Sequence, residues 1–208
     1  MEKESMAIFV EDIVEMKDTV VELTRCHTIL WTLWNAKNCK RYAQVIEYHQ
    51  DYFQGVATSL FRGFCIITYQ IFDKRGDVKS FPELIGYLSS LNPKLERQLK
   101  ANIDSQKPLL DKFFSYRNKI YAHRDKSKRP WEIFGQQSKT RVKSEMKAIL
   151  GLAQNITSAF AGAAGLDRDE FVENFRLRKK YAAYGAREVF KALEKMSPQS
   201  SCQPVGTK

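Results

Sequence analysis

The sequence predicts an all-α fold, a helical bundle opened by a long antiparallel hairpin over residues 6–72. Three observations carry this expectation. Apolar residues recur at three- and four-residue steps almost throughout, with no period-two alternation over strand length. Two long apolar stripes stand back to back with only a few polar residues between them. A chain of 208 residues that is 43% hydrophobic and 12% aromatic can fill one sizeable core, which excludes intrinsic disorder. Residues 1–196 therefore read as one domain, and the last twelve, SPQSSCQPVGTK (197–208), as a disordered tail.

The first helix is expected from about Met6 to Asn35, with Ile13, Val20, Leu23, His27, Leu30 and Trp34 on one stripe. The second is expected as one piece from about Lys40 to Phe72, carrying Val45, His49, Tyr52, Val56, Leu60, Phe64, Ile67 and Ile71. His27 and His49, on these apolar stripes, read as satisfied core histidines. The turn Asp73-Lys74-Arg75-Gly76-Asp77 ends the hairpin. Ser80-Phe81-Pro82-Glu83 then has the form of a capping box, opening a short helix over about 81–91. Asn92-Pro93 supplies an N-cap and an N1 proline for the next helix, and Pro108 a restart that runs to about Ala122. Residues 124–138, RDKSKRPWEIFGQQS, read as an irregular charged loop. Ser138 is a candidate cap for a helix over about 139–161, closed by Gly162 and Gly165. Asp167-Arg168-Asp169-Glu170 resembles a second capping box and starts a final helix to about Met196.

Composition narrows the function classes. Cys26, Cys39, Cys65 and Cys202 are spaced 13, 26 and 137 apart, which matches neither a zinc site nor a secreted disulfide framework, so a reducing cytoplasm is expected. The acidic start MEKESMAIFVEDIVEM lacks the form of a signal peptide, and no uninterrupted apolar run approaches the roughly 18 residues that cross a bilayer, so no membrane partner is expected. The net charge of +10 is unevenly spread: residues 1–72 hold 7 basic and 9 acidic side chains, residues 73–136 hold 14 and 8, and residues 137–208 hold 13 and 7. A basic excess confined to the C-terminal two thirds is the footprint expected of a protein that binds a phosphate backbone, although many cytosolic proteins are basic for other reasons. No phosphate-cradling glycine loop, paired-carboxylate site or Gly-x-Ser-x-Gly elbow occurs.

The segment that carries chemistry is 109–123. On a helical wheel Leu109, Leu110, Phe113, Phe114, Tyr116, Ile120 and Tyr121 form one apolar arc, with Arg117 near its centre and Asp111, Lys112, Ser115, Asn118 and Lys119 opposite. A guanidinium stays charged and is almost never buried without a partner, so Arg117 is expected to face a carboxylate, an interface or an anion. His123 falls on the edge of the same arc, about 120° from Arg117 on an ideal helix. An imidazole can exchange a proton near neutral pH, and a neighbouring cation can stabilise a phosphorane-like transition state.

The run Tyr116-Arg117-Asn118-Lys119-Ile120-Tyr121-Ala122-His123-Arg124-Asp125 resembles the Arg-x(4–6)-His motif of the HEPN superfamily. Asn after Arg and Ala before His make it similar to the HEPN-like proteins of bacterial abortive-infection systems, over roughly residues 5–195. The resemblance implies a HEPN-like helical bundle and a metal-independent endoribonuclease that needs no cofactor. It carries over Arg117, Asn118 and His123 as catalytic residues, acting in antiviral defence or as a toxin. Two protomers would line one cleft, His123 would handle a proton of the RNA 2′-hydroxyl or of the leaving oxygen, and Arg117 would hold the scissile phosphate. Asn118 would orient either group, and the product would be a 2′,3′-cyclic phosphate. RNA, a second copy of the chain and an antitoxin or other regulatory partner are the partners implied. Related toxins that a nucleotidyltransferase modifies tend to carry Tyr two residues after the His; here that position is Asp125, so this route of control is not implied.

Other basic residues are candidates for RNA contact: Arg124, Lys126, Lys128 and Arg129 after the motif, and Arg176, Arg178, Lys179 and Lys180 near the C-terminus, although the latter run also fits a solvated helix face. Trp131 fits either base stacking or packing. The alternative to an enzyme is a non-catalytic HEPN-type module that binds nucleic acid, a nucleotide or a partner protein.

Overall fold

The computed structural model describes residues 3–75, 79–122 and 139–197, the side chains of 3–5 and 119–122 excepted. The described residues are helical with no strand among them, an all-α fold. The expected loop at 124–138 with its Ser138 cap, Gly76-Asp77 of the turn, and the tail from Pro198 lie outside the described residues.

The hairpin forms, but its second arm is not one helix. Helix α1 (Lys3–Leu33) is followed by α2 (Ala36–Arg41), α3 (Ala43–Tyr48) and α4 (Gln50–Phe72). The breaks fall at Tyr42 (φ −109°, ψ 28°) and His49 (φ −108°, ψ 35°). Backbone hydrogen bonds persist across both, Ile46 N–H to Tyr42 O at 2.9 Å and Phe53 N–H to His49 O at 3.1 Å, so the arm bends without unwinding. Aromatic packing accompanies the bends. The rings of Tyr42 and Phe53 both stack on Phe190, at 4.7 and 5.1 Å between centroids, and with Val45 and Leu33 they make a small second core. Val45, Phe64 and Ile71 of the expected stripe are buried, but between them the buried face is one residue out of register. Phe53, Ala57 and Phe61 are buried where Tyr52, Val56 and Leu60 were expected, and Tyr52 is exposed.

The remaining helices follow their caps. Ser80 Oγ accepts from the Glu83 N–H at 3.5 Å to start α5 (Phe81–Leu91), and Asn92 Oδ1 accepts from the Leu95 N–H at 3.0 Å to start α6 (Pro93–Ser105). Helix α7 (Lys107–Ala122) holds Pro108 in its first turn, where the missing N–H costs nothing. Helix α8 (Lys139–Ala163) runs past Gly162 and ends at Gly165, whose φ of +74° suits glycine. Leu166 N–H bonds to Ala161 O at 2.9 Å and Gly165 N–H to Gly162 O at 3.3 Å, a Schellman closure. Asp167 Oδ1 then caps α9 (Arg168–Met196) by accepting from the Asp169 and Glu170 N–H groups at 2.9 and 3.2 Å. Ser197 closes α9: its N–H bonds to Leu193 O at 2.9 Å, and its Oγ lies 3.4 Å from His49 Nε2.

Helix α1 is the axis of the bundle, packed against α4, α8 and α9. Its Phe9 meets Phe160 of α8, and α4 meets α7 through Phe61, Phe64 and Phe113, all fully buried. Helix α4 is long and apolar enough, by length and composition, to cross a membrane. In the fold it packs between α1 and α7.

Candidate functional site

Helix α7 is fixed by its apolar arc. Leu110, Phe113 and Tyr116 are buried, with Phe113 5.7 Å from Phe64 and Tyr116 6.0 Å from Phe61 between ring centroids. Over these described residues the arc is occupied by α4 within the chain. On its other side Lys112 of α7 pairs with Glu145 of α8, which also holds Arg141 at 3.0 Å.

Arg117, expected at the centre of that arc, is half-buried. Its guanidinium carbon lies 4.3 Å from the centroid of the Tyr69 ring, and Nη1 donates to Asn118 Oδ1 at 3.1 Å. A cation above an aromatic face is attracted by the ring quadrupole, so the ring holds the guanidinium in place. Tyr69 is itself braced edge-on by Phe114 at 5.1 Å. Its ring also receives Arg75 at 5.7 Å, and the Arg75 guanidinium is paired with Asp73 at 2.6 Å. The structure therefore brings Arg117 and Asn118 together at the α4–α7 edge. His123 is the residue after Ala122, the last of α7, and lies outside the described residues, as do Arg124, Lys126, Lys128, Arg129 and Trp131.

The second basic group is not on this edge. Arg176, Arg178, Lys179 and Lys180 stand exposed on α9, which packs on α1 and α8. Arg176 is neutralised by Glu173 through two bonds at 2.6 and 2.7 Å, as a solvated face would have it. Lys179 has a different setting: it lines a cleft between α1, α2, α8 and α9 that the sequence reading did not identify.

That cleft has a volume of about 610 Å³. Seven of its fifteen lining residues are Lys or Arg and none is acidic. Lys143 and Lys147 come from α8, Lys179, Arg187 and Lys191 from α9, and α2 adds two more. Among the described residues only Lys191 of these has a carboxylate partner, Glu188 at 2.7 Å. In contrast, a neighbouring cleft at α2 and α3 sets Glu47 and Glu194 against Lys40 and Arg41.

His27, Thr28 and Trp31 of α1 form the wall of the basic cleft, and each is more than nine-tenths buried. Both ring nitrogens of His27, the Thr28 hydroxyl and the Trp31 indole N–H have no hydrogen-bond partner. His27 is therefore buried as expected but not satisfied. Burial, then the charges of Lys179, Lys143 and Lys147, push its pKa from 6.5 down to about 4; the backbone of Lys143 pulls the other way without completing a hydrogen bond. The imidazole is neutral at pH 7. His49, the other histidine expected in the core, is half-buried at the α3–α4 bend, edge-on to Tyr48 and beside Ser197. The signal for the cleft was present as cations four residues apart, Lys143 with Lys147 and Arg187 with Lys191, which align on one helix face.

Among the described residues no group of three or more His, Cys, Asp or Glu side chains is placed to hold a metal ion. Comparison with models of known families, with curated proteins and with solved structures finds no match for this chain.

Proposed function

We propose that the protein is a metal-independent endoribonuclease of HEPN type, acting in antiviral defence or as a toxin under a regulatory partner. The observation that supports this best is the half-exposed Arg117 guanidinium, lying over the Tyr69 ring and bonded to Asn118, six residues before His123. A guanidinium held in place can grip a phosphate through two parallel hydrogen bonds with little further loss of side-chain freedom. The reaction is attack of the RNA 2′-oxygen on phosphorus: the 2′-O–P bond forms, the P–O5′ bond breaks, and His123 takes or returns the proton that must move. Arg117 neutralises charge on the phosphoryl oxygens as it develops. In a homodimer, two copies of the motif share one cleft, so that the arginine of one can act with the histidine of the other.

The test is the product. Cleaved RNA should carry a 2′,3′-cyclic phosphate, and Arg117→Lys should slow the reaction because a point charge cannot reproduce the planar fork. Ends bearing a 3′-hydroxyl with a 5′-phosphate would refute the mechanism. A second reading, a non-catalytic module binding nucleic acid or a nucleotide, is favoured by the basic cleft around His27, which lies on helices other than α7.

A further inference from the structure

We propose that the cleft between α1, α2, α8 and α9 is a binding site for a compact oligophosphate, the linked phosphates of a nucleotide or of an RNA 5′ end. Three independent features of the cleft point to such a ligand. The first is charge: seven cationic residues and no acidic one line a space of about 610 Å³, within the usual range for small-molecule sites. Like charges gathered in a concave, partly desolvated space repel, and a bound polyanion removes that repulsion. The second is the set of orphaned polar groups on the wall. The Trp31 indole N–H and the Thr28 hydroxyl are donors without acceptors, and one nitrogen of neutral His27 is a third. Buried polar groups left unpaired are costly, and a phosphoryl oxygen drawn into the wall would relieve that cost. The third is layout. The unpaired polar groups belong to the buried wall, while Lys143, Lys147, Lys179 and Arg187 are exposed at the rim. Long flexible cations at the rim can close over the outer phosphates while the wall fixes the inner one.

This cleft differs from an ordinary basic surface in that, among the described residues, only Lys191 of its cations has a compensating carboxylate while its wall is already built. Arg176, three residues from Lys179 on the same helix, shows the ordinary case, bound to Glu173. The inference does not rest on the ribonuclease reading, since Arg117 is not among the residues that line the cleft.

Calorimetric titration of the full chain with inorganic triphosphate, with ATP, and with a short RNA bearing either a 5′-triphosphate or a 5′-hydroxyl tests it. Triphosphate is expected to bind saturably and to raise the melting temperature, while sodium chloride of equal ionic strength does not. Lys143→Glu and Lys179→Glu, both exposed and so compatible with folding, should each weaken binding by about tenfold or more. Trp31→Phe should weaken it without changing its salt dependence, because the variant removes one donor and no charge. Tight binding of ATP assigns the site to a free nucleotide; binding of the 5′-triphosphorylated RNA, with ATP binding weakly, assigns it to an RNA end. Equal binding of both RNAs with no response to free triphosphate would overturn the proposal and leave a surface that follows any phosphate backbone. Absence of binding by all four would overturn it outright. His123→Ala should bind as the wild type does, which separates failure of this site from failure of the ribonuclease.

Discussion

Acid should destabilise this protein through His27 well before its carboxylates are protonated. In the unfolded chain the imidazole takes up a proton near its ordinary value of 6.5, whereas in the fold burial and three lysines delay this to about 4. Between those values the unfolded state binds more protons, so stability is fully present above about pH 6.5 and is lost as pH falls toward 4. A difference of some two and a half units is worth about 3 kcal/mol in full, of which about 2 kcal/mol should be gone by pH 5. Urea unfolding of the wild type and His27→Phe at pH 7, 6 and 5 measures it. Phenylalanine keeps a ring beside Phe64, 6.4 Å from the imidazole, and removes the titration. The gap between the two proteins should narrow or reverse in the variant's favour by about 2 kcal/mol over this range, and titration of shared carboxylates cancels in the difference. Parallel pH profiles for the two proteins would show that His27 is not held neutral by its surroundings. Adding inorganic triphosphate should flatten the wild-type profile, because an anion in the cleft offsets the lysine charges that oppose protonation.

Two further perturbations test the fold that places the sites. Phe113→Ala removes a fully buried ring that joins α7 to Phe61 and Phe64, and should cost about 3–5 kcal/mol by chemical denaturation; a loss under 1 kcal/mol would mean that α7 is not anchored there. Gly165→Ala forces a side chain into a left-handed conformation where glycine stands at φ +74°, and should cost about 1 kcal/mol without altering the helix content seen by circular dichroism.

The helix ends were the most legible part of the sequence, because a cap is a local matter. Ser80, Asn92, Gly165 and Asp167 each act within three residues of themselves, and all four do what their chemistry dictates. The bent second arm was not legible, since Tyr42 and His49 carry no helix-breaking chemistry. The bend accompanies packing of Tyr42 and Phe53 on Phe190, more than 130 positions further along the chain. Beside the same packing, the first half of α4 buries Phe53, Ala57 and Phe61 in place of Tyr52, Val56 and Leu60, while Phe64 and Ile71 are buried as the stripe predicts. At the candidate site, the sequence put Arg117 near the centre of the apolar arc and Asn118 on the opposite face, whereas the two side chains meet; it gave no hint of Tyr69, which comes from another helix. The basic cleft was only partly legible for the same reason: the pairs Lys143 with Lys147 and Arg187 with Lys191 could be read from the sequence, but not their meeting. Its cations are ordinary surface residues on three separate helices, and only folding sets them around His27, Thr28 and Trp31.

The ribonuclease reading is tested most directly by incubating the purified protein with RNA in EDTA, wild type beside His123→Ala. The wild type should cut, and loss of the imidazole should slow cleavage by roughly 10²–10⁴-fold, the usual contribution of a general acid or base. RNA binding should persist in the variant and weaken as salt is raised, since it depends on lysine and arginine. Cleavage unchanged in His123→Ala, cleavage that appears only with added divalent metal, or no cleavage of any RNA by a wild type that still binds it would contradict the account.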